Sequence, residues 1–261
     1  MANLNDVAKI AGVTPTTVSR VINMRGSLSQ KTIDRVYAAM RELNYQPNAM
    51  ARSLQGKQSQ LIGVIFPSVA NPFYGEMIHA IESKLFSHGY KAILCDSEND
   101  PIKEREYLTM LMANQVDGII TSSHNKQIKE YENNALAIVA FDRYLADGIP
   151  IVSSDNLTGG RLATSHLYAQ GCQTIAMIAG SSDTKSPTQN RLLGYQNMLS
   201  ELKIPTLIHY LRRESSMSQK RQSIREFLST QQPDGVFCTD DLTAVMVKDI
   251  ALDLKLDNIK V

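Results

Sequence analysis

The chain has 261 residues, of which 43% are hydrophobic and 20% charged, and its formal net charge is +1. This length accommodates a small module beside one or two larger units that each bury a core. No apolar run approaches the ~18 residues of a membrane span, and the N-terminal stretch MANLNDVAKIAG lacks the apolar segment of a secretory signal. We therefore expect a cytoplasmic protein.

Charge is unevenly distributed along the chain. Residues 1–60 hold eight Lys and Arg against three Asp and Glu, whereas the remainder holds nineteen against twenty-three. A basic head on an acidic body indicates that the head faces a polyanion, and nucleic acid is the usual one.

The cysteines and histidines indicate no metal or redox chemistry. Cys95, Cys172 and Cys238 lie far apart without a C-x-x-C pair, so neither a disulfide framework nor a zinc cluster is expected. The five histidines are scattered, and no catalytic or nucleotide-binding motif is present. We predict no metal, no cofactor and no enzymatic activity.

Residues 3–45 predict three short helices. The first has Asn3 as N-cap, Gly12 as its end and an apolar face of Val7, Ala8, Ile10 and Ala11. The second, TPTTVSRVIN, has Thr14 as N-cap and Pro15 at its first position. The third follows Ser29 and carries an apolar stripe of Ile33, Val36, Tyr37, Met40 and Leu43.

The second helix has the composition of a helix that reads the major groove. Val18, Val21 and Ile22 share one face, and Thr16, Arg20 and Asn23 fall on the opposite face. We expect Arg20 and Thr16 to contact base edges, and phosphates to be held by Thr14, Thr17, Ser19 and Asn23. An ordinary three-helix bundle with a solvated polar face is the alternative.

The segment NAMARSLQGK predicts a short hinge helix. Asn48 is a suitable cap, and Leu54 at the tip can wedge between base pairs from the minor groove. Ala51, Arg52 and Lys57 would lie nearby. Two such helices are needed to form the wedge, so this interpretation implies a dimer; a flexible interdomain linker remains the alternative.

From Leu61 onward, short apolar strands alternate with longer amphipathic helices. This pattern predicts parallel α/β sheets buried on both faces. The predicted strands cover 61–66, 91–96, 118–121, 137–141, 149–154, 174–179 and 235–239, and the predicted helices cover 72–88, 103–115, 160–170, 187–201, 218–230 and 242–254.

Side chains suited to a small ligand follow several of these strands, where open α/β sheets bind ligands. The candidates are Phe73, Tyr74, Asp142, Arg143, Arg191, Asp240 and Asp241. Carboxylates and guanidinium groups suit vicinal hydroxyls, and aromatic rings stack on the C–H face of a sugar.

Other interpretations of these candidates remain open. Asp241 has the position of a helix N-cap. Phe73 and Tyr74 have the character of core or dimer-interface residues, and Asp142 with Arg143 fits a simple surface turn.

Together these segments resemble the LacI/GalR repressor family. The resemblance is carried in order by LNDVAKIAGVTPTTVSRVIN, YQPNAMARSLQGK, LIGVIFPSVANPFYGE, VDGII, FDRYL, SSDNLTGGRLA, NRLLGY and FCTDDLTA. It implies a helix-turn-helix headpiece, a periplasmic-binding-protein-like core of two α/β subdomains, homodimerisation, a palindromic DNA operator and a small effector, commonly a sugar or sugar phosphate.

The resemblance also implies residue roles. Base reading would fall to Pro15, Thr16 and Arg20, minor-groove insertion to Leu54, and binding of sugar hydroxyls to Asp142, Arg191 and Asp240. Pro15 departs from members with a polar side chain there and offers only apolar contact, which leaves the half-site sequence open.

The resemblance divides the chain at 1–46, 47–60, 61–155 and 156–261, as headpiece, hinge, N-terminal subdomain and C-terminal subdomain. Family members continue beyond the final DNIKV into another strand and crossover segments, so we expect the second subdomain to be incomplete. For the 261 residues alone we expect exposed apolar faces, poor effector response and aggregation.

The leading hypothesis is a DNA-binding repressor of a sugar-utilisation operon. A solute-binding protein that delivers sugar to a transporter would explain residues 61 onward equally well, but not the basic head. A sugar enzyme with a helical module lacks a catalytic arrangement, and an effector that is a nucleobase or a partner protein stays open within the family.

Overall fold

The computed structural model describes residues 2–46, 58–123, 125, 128–132, 136–180, 186–212 and 215–261. The first range contains the three predicted helices, α1 (Leu4–Ala11), α2 (Pro15–Ile22) and α3 (Gln30–Glu42). Asn3, Thr14 and Ser29 cap them as predicted, and Asn3 forms a capping box with Asp6. Each helix therefore begins where a side-chain oxygen satisfies a free backbone N–H.

The small core between these helices differs from the predicted apolar faces at two residues. Val7, Val18 and Val36 are completely buried, but Ile10 is 44% exposed and Tyr37 is 40% exposed. At 100° per residue, both side chains lie about 100° from the centre of the buried face of their helix. The apolar faces predicted for α1 and α3 therefore extended too far around each helix.

The first sheet has the strand order β2-β1-β3-β4-β5 and is parallel throughout. Its strands are β1 (Leu61–Phe66), β2 (Lys91–Asp96), β3 (Gly118–Thr121), β4 (Ala137–Phe141) and β5 (Ile151–Val152), and its helices are α4 (Pro72–Ser87) and α5 (Pro101–Ala113).

The fifth strand is shorter than predicted. It has two residues, although the apolar pattern favoured 149–154. Pro150 has no N–H to donate and only accepts from the Ala140 N–H, at 2.9 Å, so the ladder cannot extend through it.

The second sheet has the order β7-β6-β8, again parallel. It contains β6 (Ile175–Gly180), β7 (Leu207–Leu211) and β8 (Gly235–Cys238), together with α6 (Asn156–Ala169), α7 (Asn190–Leu202), α8 (Met217–Gln231) and α9 (Asp241–Asp253). The first three strands of the first sheet, in the order β2-β1-β3, have the same arrangement, so the core repeats one topology.

Three predictions for this half were wrong. The strand β7 was missed because His209 and Tyr210 interrupt its apolar run at the edge of the sheet. Helix α6 begins four residues before the predicted start, at Asn156, because Asp155 caps it through the Thr158 N–H. The segment predicted as one helix from Pro187 is a 3-10 turn, Pro187–Gln189, followed by α7.

The first sheet packs on one buried apolar cluster, and the second packs on two, one on each face of β6. Ile65, Leu111 and Ile119 are buried in the first, and Ile178, Ile224 and Val247 in the second.

The cysteines behave as small apolar side chains. Cys95, Cys172 and Cys238 are free thiols, the first two buried and the third half-buried. Among the described residues, no group of His, Cys, Asp and Glu is arranged to hold a metal ion. Within the same ranges, no helix has the length and apolar character to cross a membrane.

Candidate functional site

Helix α2 presents a polar face to solvent. Pro15, Thr16 and Arg20 are exposed, while Val18 and Val21 are buried against the other two helices. The outward orientation predicted for Thr16 and Arg20 is present. The two side chains are one turn apart and leave a hydroxyl and a guanidinium available together.

The N-terminal end of α2 is held by two threonines. The Thr14 hydroxyl oxygen accepts from the Thr17 N–H at 3.2 Å and lies 2.9 Å from the Thr17 hydroxyl. Helix N-termini attract anions because their free N–H groups and the helix dipole both favour negative charge. This end is therefore suited to a phosphate.

The Asn23 side chain makes hydrogen bonds within α2 that the sequence did not predict. Asn23 is the C-cap residue and half-buried, and its Nδ2 donates to the Ser19 carbonyl at 2.6 Å and to the Ser19 Oγ at 3.2 Å. The amide satisfies a terminal carbonyl of the helix, which is what a polar C-cap residue does. Ser19 and Asn23, both half-buried, are thus bonded to each other.

The hinge candidates Asn48, Ala51, Arg52, Leu54 and Lys57 lie outside the described residues. Their predicted helix and wedge stay predictions.

A cleft of about 1090 Å³ opens between the two sheets, beside the carboxyl ends of their strands. The structure brings all seven ligand candidates together in its wall: Phe73, Tyr74, Asp142, Arg143, Arg191, Asp240 and Asp241. These residues come from four separate segments, so their convergence is a property of the tertiary fold.

The aromatic wall of the cleft is partly open. Phe73 is 49% exposed, so the core alternative does not hold for it. Tyr74 is half-buried and packs edge-on against Phe66, at 5.5 Å between ring centroids, and against Phe73 at 5.4 Å. Tyr74 therefore supports the Phe73 ring, which offers apolar area to the cleft.

Asp142 is not a surface-turn residue. It is only 5% exposed, and its backbone has the left-handed φ of 51°. Its Oδ1 lies 3.5 Å from the Asn156 Nδ2, and its N–H donates to the Val152 carbonyl at 2.9 Å. A buried carboxylate with few protein donors is suited to accept from a ligand hydroxyl.

Arg143 spans the gap between the two sheets. Its Nη1 donates to the Asp142 carbonyl at 2.6 Å, and across the cleft to the Ser186 Oγ at 2.8 Å and the Thr188 Oγ1 at 3.2 Å. The Ser186 hydroxyl also donates to the Asp142 carbonyl at 2.7 Å. Arg143 therefore links the segment after β4 to the turn before α7.

Arg191 is held by two neighbours within the second half of the core. Its Nε donates to the Asn156 Oδ1 at 2.7 Å, and its Nη1 donates to the Thr239 carbonyl. Asn156 is buried and lies between Asp142 and Arg191. Sequence reasoning missed it, although its place directly after a predicted strand in SSDN was a usable signal.

Close packing of α6 on α7 sets the position of Arg191. A Cβ on Gly160 would lie 2.2 Å from the Arg191 carbonyl oxygen, and one on Gly194 would lie 2.2 Å from the Leu157 carbonyl oxygen. No real Cβ tolerates such a distance to backbone, so both positions require glycine.

The helix cap after β8 is Asp240, not Asp241. The Asp240 carboxylate accepts from the Thr243 N–H at 2.9 Å and from the Thr243 hydroxyl at 2.8 Å. The helix begins one residue earlier than it would with Asp241 as its N-cap. Asp241 is therefore the first helical residue, and it is exposed. Asp240 retains lone pairs toward the cleft while it caps α9.

Three further cleft residues were not predicted. The Ser122 hydroxyl, directly after β3, is buried without a hydrogen-bond partner among the described residues. Burial raises the pKa of the Cys238 thiol to about 12, which keeps it neutral. The Thr158 N–H and hydroxyl lower the pKa of Asp155, which keeps that carboxylate charged.

A helix-turn-helix head with an exposed polar helix, joined to two parallel α/β sheets around a cleft, defines a ligand-responsive DNA-binding regulator. The chain belongs to the LacI family: residues 3–48 match the model of bacterial regulatory proteins of the lacI family, and residues 59–255 match that of periplasmic binding proteins and the sugar-binding domain of the LacI family. The prediction from the sequence motifs is confirmed.

Relatives and solved structures agree with this assignment. The chain is 53% identical to the sucrose operon repressor of Streptococcus mutans over 98% of this chain and 79% of the relative, and 53% identical to that of Pediococcus pentosaceus over 97% and 78%. It also matches the Lac repressor dimer bound to operator and the anti-inducer ONPF, with a TM-score of 0.80, 28% identity and coverage of 97% and 78%.

Membership of this family distinguishes among a repressor, a solute-binding protein and an enzyme. Its members are transcriptional repressors that bind operator DNA as dimers, so the protein is a DNA-binding repressor, not an enzyme or a transporter-associated binding protein. The predicted fold class, an all-α head plus a periplasmic-binding-protein-like α/β core, is also confirmed.

Proposed function

We propose that this protein represses a sucrose-utilisation operon in the cytoplasm, and that a sugar in the cleft releases it from its operator. The observation that carries the proposal is the convergence of all seven ligand candidates in one cleft. Two relatives that are 53% identical to this chain are named as sucrose operon repressors, which supports the choice of operon.

Helix α2 supplies the contacts to bases. The Arg20 guanidinium pairs bidentately with guanine O6 and N7, Thr16 contacts a base edge or a thymine methyl, and Pro15 adds apolar contact. Thr14 and Thr17 bind phosphate at the helix N-terminus. Ser19 and Asn23 bind phosphate only if their mutual hydrogen bond opens.

The hinge acts in the minor groove. Leu54 wedges between base pairs, with Asn48, Ala51, Arg52 and Lys57 around it, and two copies of the chain supply two such helices. This role assumes the division into a headpiece at 1–46, a hinge at 47–60 and subdomains at 61–155 and 156–261.

The hinge role is tested with Leu54→Ala. The loss of the wedge should weaken binding to the operator much more than binding to random duplex DNA, measured at one salt concentration. Equal losses on both DNAs would contradict the wedge.

The cleft accepts a neutral sugar better than a sugar phosphate. Among the described residues, the charged side chains of its lining are four carboxylates and three cations: Asp142, Asp155, Asp240, Asp241, Arg143, Arg191 and Lys220. Arg143 and Arg191 already donate N–H groups to protein oxygens, and carboxylates outnumber cations in the described lining, which disfavours a phosphate. Sugar hydroxyls bond to Asp142, Asp240 and the Ser122 hydroxyl, and a ring stacks on Phe73.

The proposal is tested with a duplex selected by the protein from random palindromic DNA. Fluorescence anisotropy measures its affinity without ligand and with sucrose, fructose, glucose or fructose 6-phosphate. A neutral sugar should weaken binding by about 5–150-fold, the usual range of coupling between two sites. Unchanged affinity with every sugar would contradict a sugar effector, and release by fructose 6-phosphate alone would contradict a neutral one.

A further inference from the structure

One carboxylate fixes the place where the core begins after the hinge. Asp117, directly before β3, accepts from the Ser59 N–H at 2.8 Å and the Ser59 hydroxyl at 3.0 Å through Oδ1, and from the Gln60 N–H at 2.8 Å through Oδ2. The Asp117 N–H in turn donates to the Leu61 carbonyl at 2.8 Å. Four hydrogen bonds thus hold three successive residues against one aspartate.

The turn held in this way is strained. Gln60 has a φ of 58°, in the left-handed region that side chains other than glycine disfavour. Its carbonyl accepts from the Lys91 N–H at 2.9 Å, and Ser59 is buried. Such a conformation persists only where surrounding contacts hold it. The Asp117 carboxylate accepts three of the hydrogen bonds that hold Ser59 and Gln60.

The second half of the core has a matching aspartate, but the segment that it holds does not follow a hinge. Asp234, directly before β8, accepts from the Gln173 N–H at 2.8 Å through Oδ2 and from the Thr174 N–H at 2.8 Å through Oδ1. Both aspartates precede a Gly that opens a strand beside the first strand of its sheet. The segment that Asp234 holds, however, comes from α6 and not from the DNA-binding head.

The strand that follows Asp117 ends at the cleft. β3 covers Gly118–Thr121, and the next residue, Ser122, lines the cleft wall with its buried hydroxyl. A strand of this length spans about 13 Å. Asp117, which holds residues 59–61, and Ser122, which lines the cleft, therefore lie at opposite ends of the short strand β3.

We propose that Asp117 is a positioning residue for DNA binding. Its carboxylate fixes the position and the direction in which the chain leaves the core toward the head. It thereby sets where the two hinges of a dimer meet the operator. The proposal rests on the proposed function, because it requires operator binding by the head and hinge together. Asp117 itself contacts no DNA.

The test compares Asp117→Ala with Asp234→Ala, which removes the matching anchor from the other sheet. Each variant of the full chain is assayed for melting temperature, for binding to the duplex selected by the unaltered protein and for binding to random duplex DNA. Asp117→Ala should lower operator affinity about tenfold or more, a typical coupling between linked sites. Random-DNA affinity should stay unchanged, because α2 is untouched.

Asp234→Ala should lower the melting temperature similarly and leave both DNA affinities unchanged. Should Asp117→Ala fail to fold, Asp117→Asn keeps one acceptor oxygen but loses the bond to the Gln60 N–H, and it should show a smaller loss in the same direction. Equal operator affinities for the Asp117 and Asp234 variants would overturn the proposal. Failure of the unaltered protein to select any operator would instead overturn the proposed function.

Discussion

Arg20 and Asn156 are two polar side chains in opposite surroundings. Arg20 is exposed on α2, whereas Asn156 is buried between Asp142 and Arg191. Removal of the first should change protein stability little, whereas removal of the second takes the acceptor away from the Arg191 Nε. The two residues therefore give different tests of the DNA-binding face and the cleft.

Replacing Arg20 by Ala should relax sequence preference at one base pair of each half-site. A bidentate pair with guanine discriminates by ~1–3 kcal/mol, and that discrimination should disappear while binding to random DNA falls only slightly. A binding-site selection by the variant measures it. Arg41→Ala, on the last turn of α3, is the control, and an unchanged preference for the Arg20 variant would contradict the assignment.

Replacing Asn156 by Ala should weaken both the core and the cleft. The Arg191 Nε loses its acceptor at 2.7 Å, and an unpaired buried partner costs ~1–3 kcal/mol. Thermal melting and sugar-dependent release of operator DNA should both decline. Asn114→Ala breaks a comparable bond, Nδ2 to the Met110 carbonyl at 2.8 Å, far from the cleft, and should leave sugar release intact; equal sugar responses would refute a role for Asn156.

At the scale of elements, the contact between α6 and α7 is the most demanding in the core. Two glycines allow the helix backbones to approach each other, and this approach positions Arg191 on one side of the cleft. Gly159, next to Gly160 in α6, has the opposite environment. Nothing lies within 4 Å of a Cβ added to it.

Gly160→Ala and Gly159→Ala should therefore change stability in opposite directions. The first forces a methyl into the Arg191 carbonyl and should destabilise the protein by ~1–3 kcal/mol or more. The second removes backbone freedom in a helix and should stabilise it by roughly 0.5–1 kcal/mol. Denaturant unfolding of both variants measures the difference, and similar midpoints would show that the helices separate easily.

At the scale of the whole molecule, operator and sugar must influence each other equally. If sugars bound in both clefts of the dimer together lower operator affinity by a factor f, operator DNA lowers the mean sugar affinity of each cleft by the square root of f. Titration calorimetry with the neutral sugar that releases the operator, in the presence and absence of the duplex, should return that factor. A factor that differs from the square root of f would indicate that sugar also binds outside the two clefts.

Local chemistry explains what could be predicted from the sequence. Caps such as Asn3, Thr14 and Ser29 act within three residues of themselves, so their helices begin where expected. Runs such as LIGVIF are apolar on both faces and thus predict buried parallel strands. The outward Arg20, the family and the positions of the seven ligand candidates after strand ends all follow from such short-range patterns.

Only the tertiary structure decided which distant side chains meet. The Asn156 amide between Asp142 and Arg191, the reach of Arg143 to Ser186, and the hold of Asp117 on Ser59 each join residues at least fourteen positions apart. The edge strand β7 and the shortened β5 likewise depend on their neighbours more than on their own pattern. The physical reason is that periodicity and capping reflect local backbone geometry, whereas burial and hydrogen-bond pairing depend on how the two sheets and their helices pack.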